Sequence, residues 1–209
     1  MPFGYIGQNQ PKQKVKNEGV LSSFDISLLE KNNHASGSYE LIQSQTVSDT
    51  YVNFTSIKES EYDVHYVTWH QVKDFSTSGA NFGLRMFESG TLETASVYHG
   101  AHVEQKTSSQ NYNPKGTYSF IFLSQGSLTS GESTSGYAYI YYAGNSNEYT
   151  YVTDHSITED PVGTAAFAYG GGVLPQTSTV DGFNFSSVNG SATFTGVISL
   201  YGVKKQWVL

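Results

Sequence analysis

The stretch VDGFNFSSVNGSATFTGVISL, residues 180–200, decides the fold. In its second half Ala192, Phe194, Ile198 and Leu200 fall on one side, and Thr193, Thr195 and Ser199 on the other. That two-residue period is the signature of a strand with one buried face. Val180 to Ser186 reads as a second strand, and Asn189-Gly190 between them is the dipeptide favoured by type I′ turns. The pair therefore reads as a hairpin.

Upstream, the same grammar recurs. Tyr137 to Tyr142 and Glu148 to Thr153 flank Gly144-Asn145-Ser146-Asn147, another hairpin signal. Thr117 to Leu123 brings Tyr118, Phe120 and Phe122 together, and Asn81 to Phe87 ends at a Ser89-Gly90 turn. Tyr62 to Val72 alternates, with Tyr62, Val64, Tyr66 and Val72 on one side and His65, Val67 and Trp69 on the other. Tyr51 to Ile57 and Tyr39 to Val47 complete the set. Eight or nine short antiparallel strands joined by Gly/Ser turns predict an all-β antiparallel sandwich of jelly-roll type. The spacing does not fix the strand order.

The only helix expected lies around residues 23–31. It is capped by Ser22-Ser23-Phe24-Asp25, striped by Phe24 and Leu28, and stopped by Asn32-Asn33 and Gly37. Residues 1–22 are rich in Gln and Asn and lack a hydrophobic period, so they read as an extended docking arm with apolar hooks at Phe3, Tyr5 and Ile6. The expected organisation is an arm (1–22), a short helix and linker (23–37), the sandwich (38–204) and a tail (205–209).

Composition narrows the function. The 209 residues are 37% hydrophobic and only 14% charged, with 21 Gly, 16 Tyr and 12 Phe, as short strands and tight turns require. A net charge of −7 argues against nucleic acid, and Lys12, Lys14 and Lys16 beside Glu18 make only a weak basic patch. The absence of cysteine excludes disulfides, thiolate zinc sites and a Cys nucleophile. No run is long enough to span a membrane, and the opening MPFGYIGQ has no signal-peptide pattern, so synthesis in the cytoplasm is expected.

No catalytic set emerges, and no enzyme is expected. His65 and His70 are an odd number apart on one strand and face opposite ways. His99 and His102 could meet in a loop, but nothing nearby supplies a third metal ligand, so a loop surface or subunit contact is the expected reading. No Gly-x-Ser-x-Gly elbow precedes a helix. Glu159-Asp160 read as solvated loop carboxylates, and Gly170-Gly171-Gly172 opens no helix that could cradle phosphate. Neither a metal nor a cofactor is expected. The sequons at Asn53, Asn184 and Asn189 mean little without a signal peptide.

The tyrosines carry more. Tyr137, Tyr139 and Tyr141 share one face of their strand, with Tyr149 and Tyr151 opposite them on the next. Such a cluster is either a core rim or an interface with a sister subunit, because Tyr buries its ring while its hydroxyl finds a partner. Its functional counterpart is a platform for stacking sugar rings.

Thr179 to Ser187, Asn189-Gly190 and Gly196-Val197-Ile198-Ser199-Leu200-Tyr201-Gly202-Val203-Lys204 resemble the ending shared by a group of virion proteins from phages of aquatic bacteria. Leu41-Ile42, Val52 to Ile57 and Tyr62 to His65 are similar to the group's opening strands. Gly4 to Gly7, Val15-Lys16-Asn17 and Gly19 to Ser22 are similar to its N-terminal arm. The resemblance covers most of the chain, and its motifs are turns and strand endings. It implies a tail-fibre or tail-appendage component of the virion, or alternatively a head decoration or cement protein, and it carries no catalytic residues. The arm, with Phe3, Tyr5, Ile6 and Val15, would dock on other virion proteins. The sandwich would form a homo-oligomer, a trimer being common among appendages, or contact a host-surface glycan.

Overall fold

In a computed structural model of the protein, the described residues are 39–73, 80–107, 111–112, 115–124, 128, 131–159, 165–187 and 192–203. The chain divides into two units, Met1–Ser38 and Tyr39–Leu209, and every described residue belongs to the second. The expected helix and the arm residues Phe3, Tyr5, Ile6 and Val15 lie outside the described residues.

The strands run β1 (Tyr39–Asp49), β2 (Tyr51–Phe54), β3 (Val64–Lys73), β4 (Phe82–Glu88), β5 (Thr91–Leu92), β6 (Tyr98–Lys106) and β7 (Asn111–Tyr112). They continue as β8 (Lys115–Tyr118), β9 (Ile121–Phe122), β10 (Ser133–Tyr141), β11 (Thr150–Glu159), β12 (Ala165–Leu174), β13 (Val180–Ser187) and β14 (Phe194–Val203). They form two antiparallel sheets. The nine-stranded sheet is ordered β1-β14-β3-β10-β11-β12-β6-β7, with β8 also on β6. The five-stranded sheet is ordered β2-β13-β4-β5, with β9 also on β4.

A jelly roll is embedded in this order. Taken along the chain, β1, β2, β3, β4, β9, β10, β13 and β14 alternate between sheets except at β4–β9, which pair with each other. The quartet β1-β14-β3-β10 thus faces β2-β13-β4-β9, with the first and last strands side by side. That is the double Greek key expected of a jelly roll. The remaining strands are additions, and β11, β12 and β6 widen the larger sheet beyond β10.

The core lies between the layers. Phe54, Phe82, Phe183 and Phe185 of the smaller sheet meet Trp69 and Phe194 of the larger, with Phe54–Phe185 centroids 5.6 Å, Trp69–Phe82 5.8 Å and Phe82–Phe194 5.6 Å apart. Burying each such side chain contributes roughly 1.5–3 kcal/mol. Ser89 (φ 51°) and Gly90 (φ 76°) both adopt positive φ, the type I′ geometry that closes β4 onto β5.

Four expectations are corrected. Val180–Ser187 and Phe194–Val203 are not a hairpin: β13 pairs with β2 and β4, whereas β14 pairs with β1 and β3 in the other sheet. A turn dipeptide is a local signal and cannot tell which sheet each flanking strand joins. Val72 points inward with Val67 and Trp69, away from Tyr66. A bulge at Gln71 (φ 47°) inserts one residue, and the registers with both β10 and β14 shift there. Tyr62 precedes β3 and is buried, its ring covering Gly202. Finally, Thr117–Leu123 breaks into β8 and β9, which belong to different sheets, although Tyr118, Phe120 and Phe122 do cluster, at 4.6–6.1 Å.

Candidate functional site

The outward face of the nine-stranded sheet is the most distinctive surface. Register fixes its rows. Tyr201, Tyr66 and Tyr139 stand side by side on β14, β3 and β10. Tyr137, His155 and Tyr169 do so on β10, β11 and β12, with Ile157 beside Phe167 in the next row and Tyr141 beside Tyr151 above. Tyr149, just before β11, has its ring 6.5 Å from that of Tyr151. The five tyrosines singled out in the sequence therefore meet on one surface. Tyr39, Tyr66, Tyr169, Tyr201, Ile157 and Phe167 belong to it as well.

The rings form a connected layer. Tyr66 lies 4.9 Å from Tyr39 and from Tyr139, and 5.9 Å from Tyr137 and Tyr201. Hydroxyls bond laterally: Tyr39 Oη to Tyr139 Oη at 2.9 Å, and Tyr137 Oη to His155 Nδ1 at 2.8 Å. The bond to Tyr39, helped by burial, pushes the Tyr139 phenol up to about 12, and burial raises Tyr66. These two rings stay neutral throughout the physiological range.

The layer is also exposed and uncharged. Phe167 is 49% accessible, Tyr169 47% and Ile157 45%. Across β1, β14, β3, β10, β11 and β12, the only charged residues at outward positions among those described are Lys73 and Glu159, both at one end. A depression of about 500 Å³ sits in its middle, between Tyr66, His70, Tyr137, His155 and Ile157. Gly136 and Trp69 line its floor.

The histidines divide as strand parity dictates. His65 is buried and His70 exposed. The segment holding His99 and His102 is not a loop, as expected from sequence, but strand β6, so the two rings face opposite sides. His102 points inward, and its Nε2 lies 2.8 Å from Asp154 Oδ2 with both side chains almost wholly buried. Among the described residues, no group of three or more His, Asp or Glu could hold a metal.

Sequence reasoning missed β6 and β12 because His and Gly dilute their alternation. Residues 165–174 form a strand that runs straight through Gly170-Gly171-Gly172. The usable signal was Phe167-x-Tyr169, two exposed aromatics in strand period.

No family model matches this chain, and no curated protein or solved structure matches it.

Proposed function

We propose that the protein is a structural subunit of a bacteriophage particle that assembles with copies of itself through the outward face of the nine-stranded sheet. The observation that carries self-assembly is the size of that face combined with its lack of charge. Six strands about 4.8 Å apart and about ten residues long, at ~3.3 Å per residue, outline roughly 900 Å². A standard interface buries about 800 Å² per partner and concentrates Tyr and Phe at a centre depleted of charge. Exposed apolar patches larger than a few hundred Å² mark interaction sites.

Net charge limits where two copies can meet. Two chains of charge −7 repel, and like charges brought face to face oppose association. A second copy is therefore tolerated where acidic residues are absent, and this face answers that requirement. The resemblance in the strand endings suggests the particle, with a tail appendage as the favoured position. The arm, with Phe3, Tyr5, Ile6 and Val15, would tether the subunit to the rest of the virion.

Sedimentation of the full chain over a concentration series tests the assembly. A dimer or trimer is expected, and a monomer at every concentration would overturn it. For the particle, removal of residues 1–22 is expected to abolish incorporation while the oligomer persists. Normal incorporation of the shortened chain would sink the docking role.

A further inference from the structure

On the opposite side of the sandwich, the outward face of the five-stranded sheet has a different chemistry. Register places Asn53, Asn184 and Arg85 in one row across β2, β13 and β4, and Tyr51 beside Ser186 in the next. These five residues line a cavity of about 420 Å³, with Phe87 and Leu92 forming an apolar wall. The size falls within the ~300–1,000 Å³ of small-molecule sites.

The polar groups are held in place, and some lack a partner. Asn53 is tethered through its carbonyl, which accepts a bond from Gln45 Nε2 at 2.8 Å. Its Oδ1 accepts a bond from Asn184 Nδ2 at 2.7 Å. Asn184 Oδ1 remains without a partner on a residue only 3% exposed, and so does Ser186 Oγ on a residue 5% exposed. Buried polar atoms are nearly always hydrogen-bonded, so unpartnered ones on residues that line one cavity, Ser187 Oγ being a third, point to a ligand.

Arg85 is the only arginine in the chain. Its Nε donates to Ser119 O at 2.9 Å, which orients the guanidinium, and no described carboxylate pairs with it. The two kinds of open group ask for different things. A guanidinium calls for an anionic acceptor, ideally a carboxylate that it can grip with two parallel bonds. Asn184 Oδ1 accepts only, so a bare anion cannot satisfy it, whereas a hydroxyl can. Tyr51, half exposed at the rim, offers a ring face.

We infer that this cavity binds a carboxylate bearing neighbouring hydroxyls, that is, a sugar acid, with Arg85 on the carboxylate and Asn184 and Ser186 on the hydroxyls. The sugar acid could be free or a uronic-acid unit of a polysaccharide. The site is independent of the proposed assembly face and does not rest on it.

Titration calorimetry of the full chain with glucuronate tests the assignment, against glucose (hydroxyls without carboxylate), acetate (the reverse) and inorganic phosphate. Saturable binding of glucuronate at least about tenfold tighter than each control is expected, since a charge-assisted pair is worth about that much. Arg85→Gln should bring glucuronate down to the level of glucose. Tyr51→Ala, at an exposed rim position, should weaken it severalfold with the melting temperature unchanged, which keeps the test sound should the arginine variant misfold. Uronic-acid oligosaccharides that bind as well as or better than glucuronate would identify a polysaccharide unit, and preference for the free acid a small metabolite. Either source supports the assigned chemistry. Absence of saturable glucuronate binding at millimolar concentration, equal binding of glucose or phosphate, or unchanged affinity in a folded Arg85→Gln protein would overturn it.

Discussion

The imidazole of His65 sits on the inner face of β3 between the rings of Tyr62 and Phe183, at 6.2 and 5.5 Å. Its Nε2–H donates to the Ile57 carbonyl at 2.8 Å, which fixes the tautomer. Burial lowers its pKa, more than the Ile57 bond and the nearby Glu59 raise it. The sign follows from linkage. With the folded value below the unfolded ~6.5, the unfolded chain binds the extra proton first as pH falls. Stability from this residue is therefore complete above about pH 6.5 and drains away as pH falls toward the folded value. Each unit of depression is worth about 1.4 kcal/mol. Urea denaturation at pH 7.5 and 5.5 should show His65→Gln losing less stability on acidification than the wild type. Equal losses in the two proteins would mean that His65 is not the group responsible.

At the level of the element, β12 shows why a strand can hide in a sequence. Gly170 lies between His102 on β6 and Asp154 on β11, and the His102–Asp154 bond passes over it. A Cβ there would stand 2.5 Å from the His102 ring and 2.4 Å from the Ala101 carbonyl oxygen. Ala168 lies in the neighbouring inward row, with Glu104 and Ser156 on either side. Gly170 thus makes room for a polar pair reaching across β12, and the run of small residues there erases the apolar alternation by which strands are recognised. The strands β10 and β14 were legible because Tyr137, Tyr139 and Tyr141, and Phe194, Ile198 and Leu200, fall in strand period against small or polar neighbours. Gly170→Ala is expected to cost about 1–3 kcal/mol through overpacking. The loss would move toward ~3–5 kcal/mol if the buried pair separates. Thermal or chemical melting reads this directly, and a substitution that leaves stability unchanged would show that the bond does not depend on the gap.

For the whole molecule, the two faces of the sandwich differ in kind. One is broad, aromatic and uncharged. The other is narrow and polar, built around a single arginine. The aromatic face was half legible: Tyr137, Tyr139, Tyr141, Tyr149 and Tyr151 could be grouped from spacing within one hairpin. Tyr39, Tyr66, Tyr169 and Tyr201 join them only through pairings between strands far apart in sequence, which periodicity does not encode. The polar row was not legible at all, since Asn53, Asn184 and Arg85 come from three separate strands. If copies meet through the aromatic face, its response to charge should be unlike that of an ordinary surface. Phe167 is 49% exposed, so Phe167→Glu removes little core packing and should shift stability by less than about 0.5 kcal/mol. In the assembly it would place a carboxylate against an apolar partner, a penalty of several kcal/mol if it stays unpaired. Phe167→Glu should therefore sediment as a folded monomer, while Phe167→Leu keeps the oligomer. Raising salt should leave the wild-type oligomer intact, because there are almost no charges in the contact to screen. An oligomer that dissolves in salt, or that tolerates Phe167→Glu unchanged, would locate the contact elsewhere on the molecule.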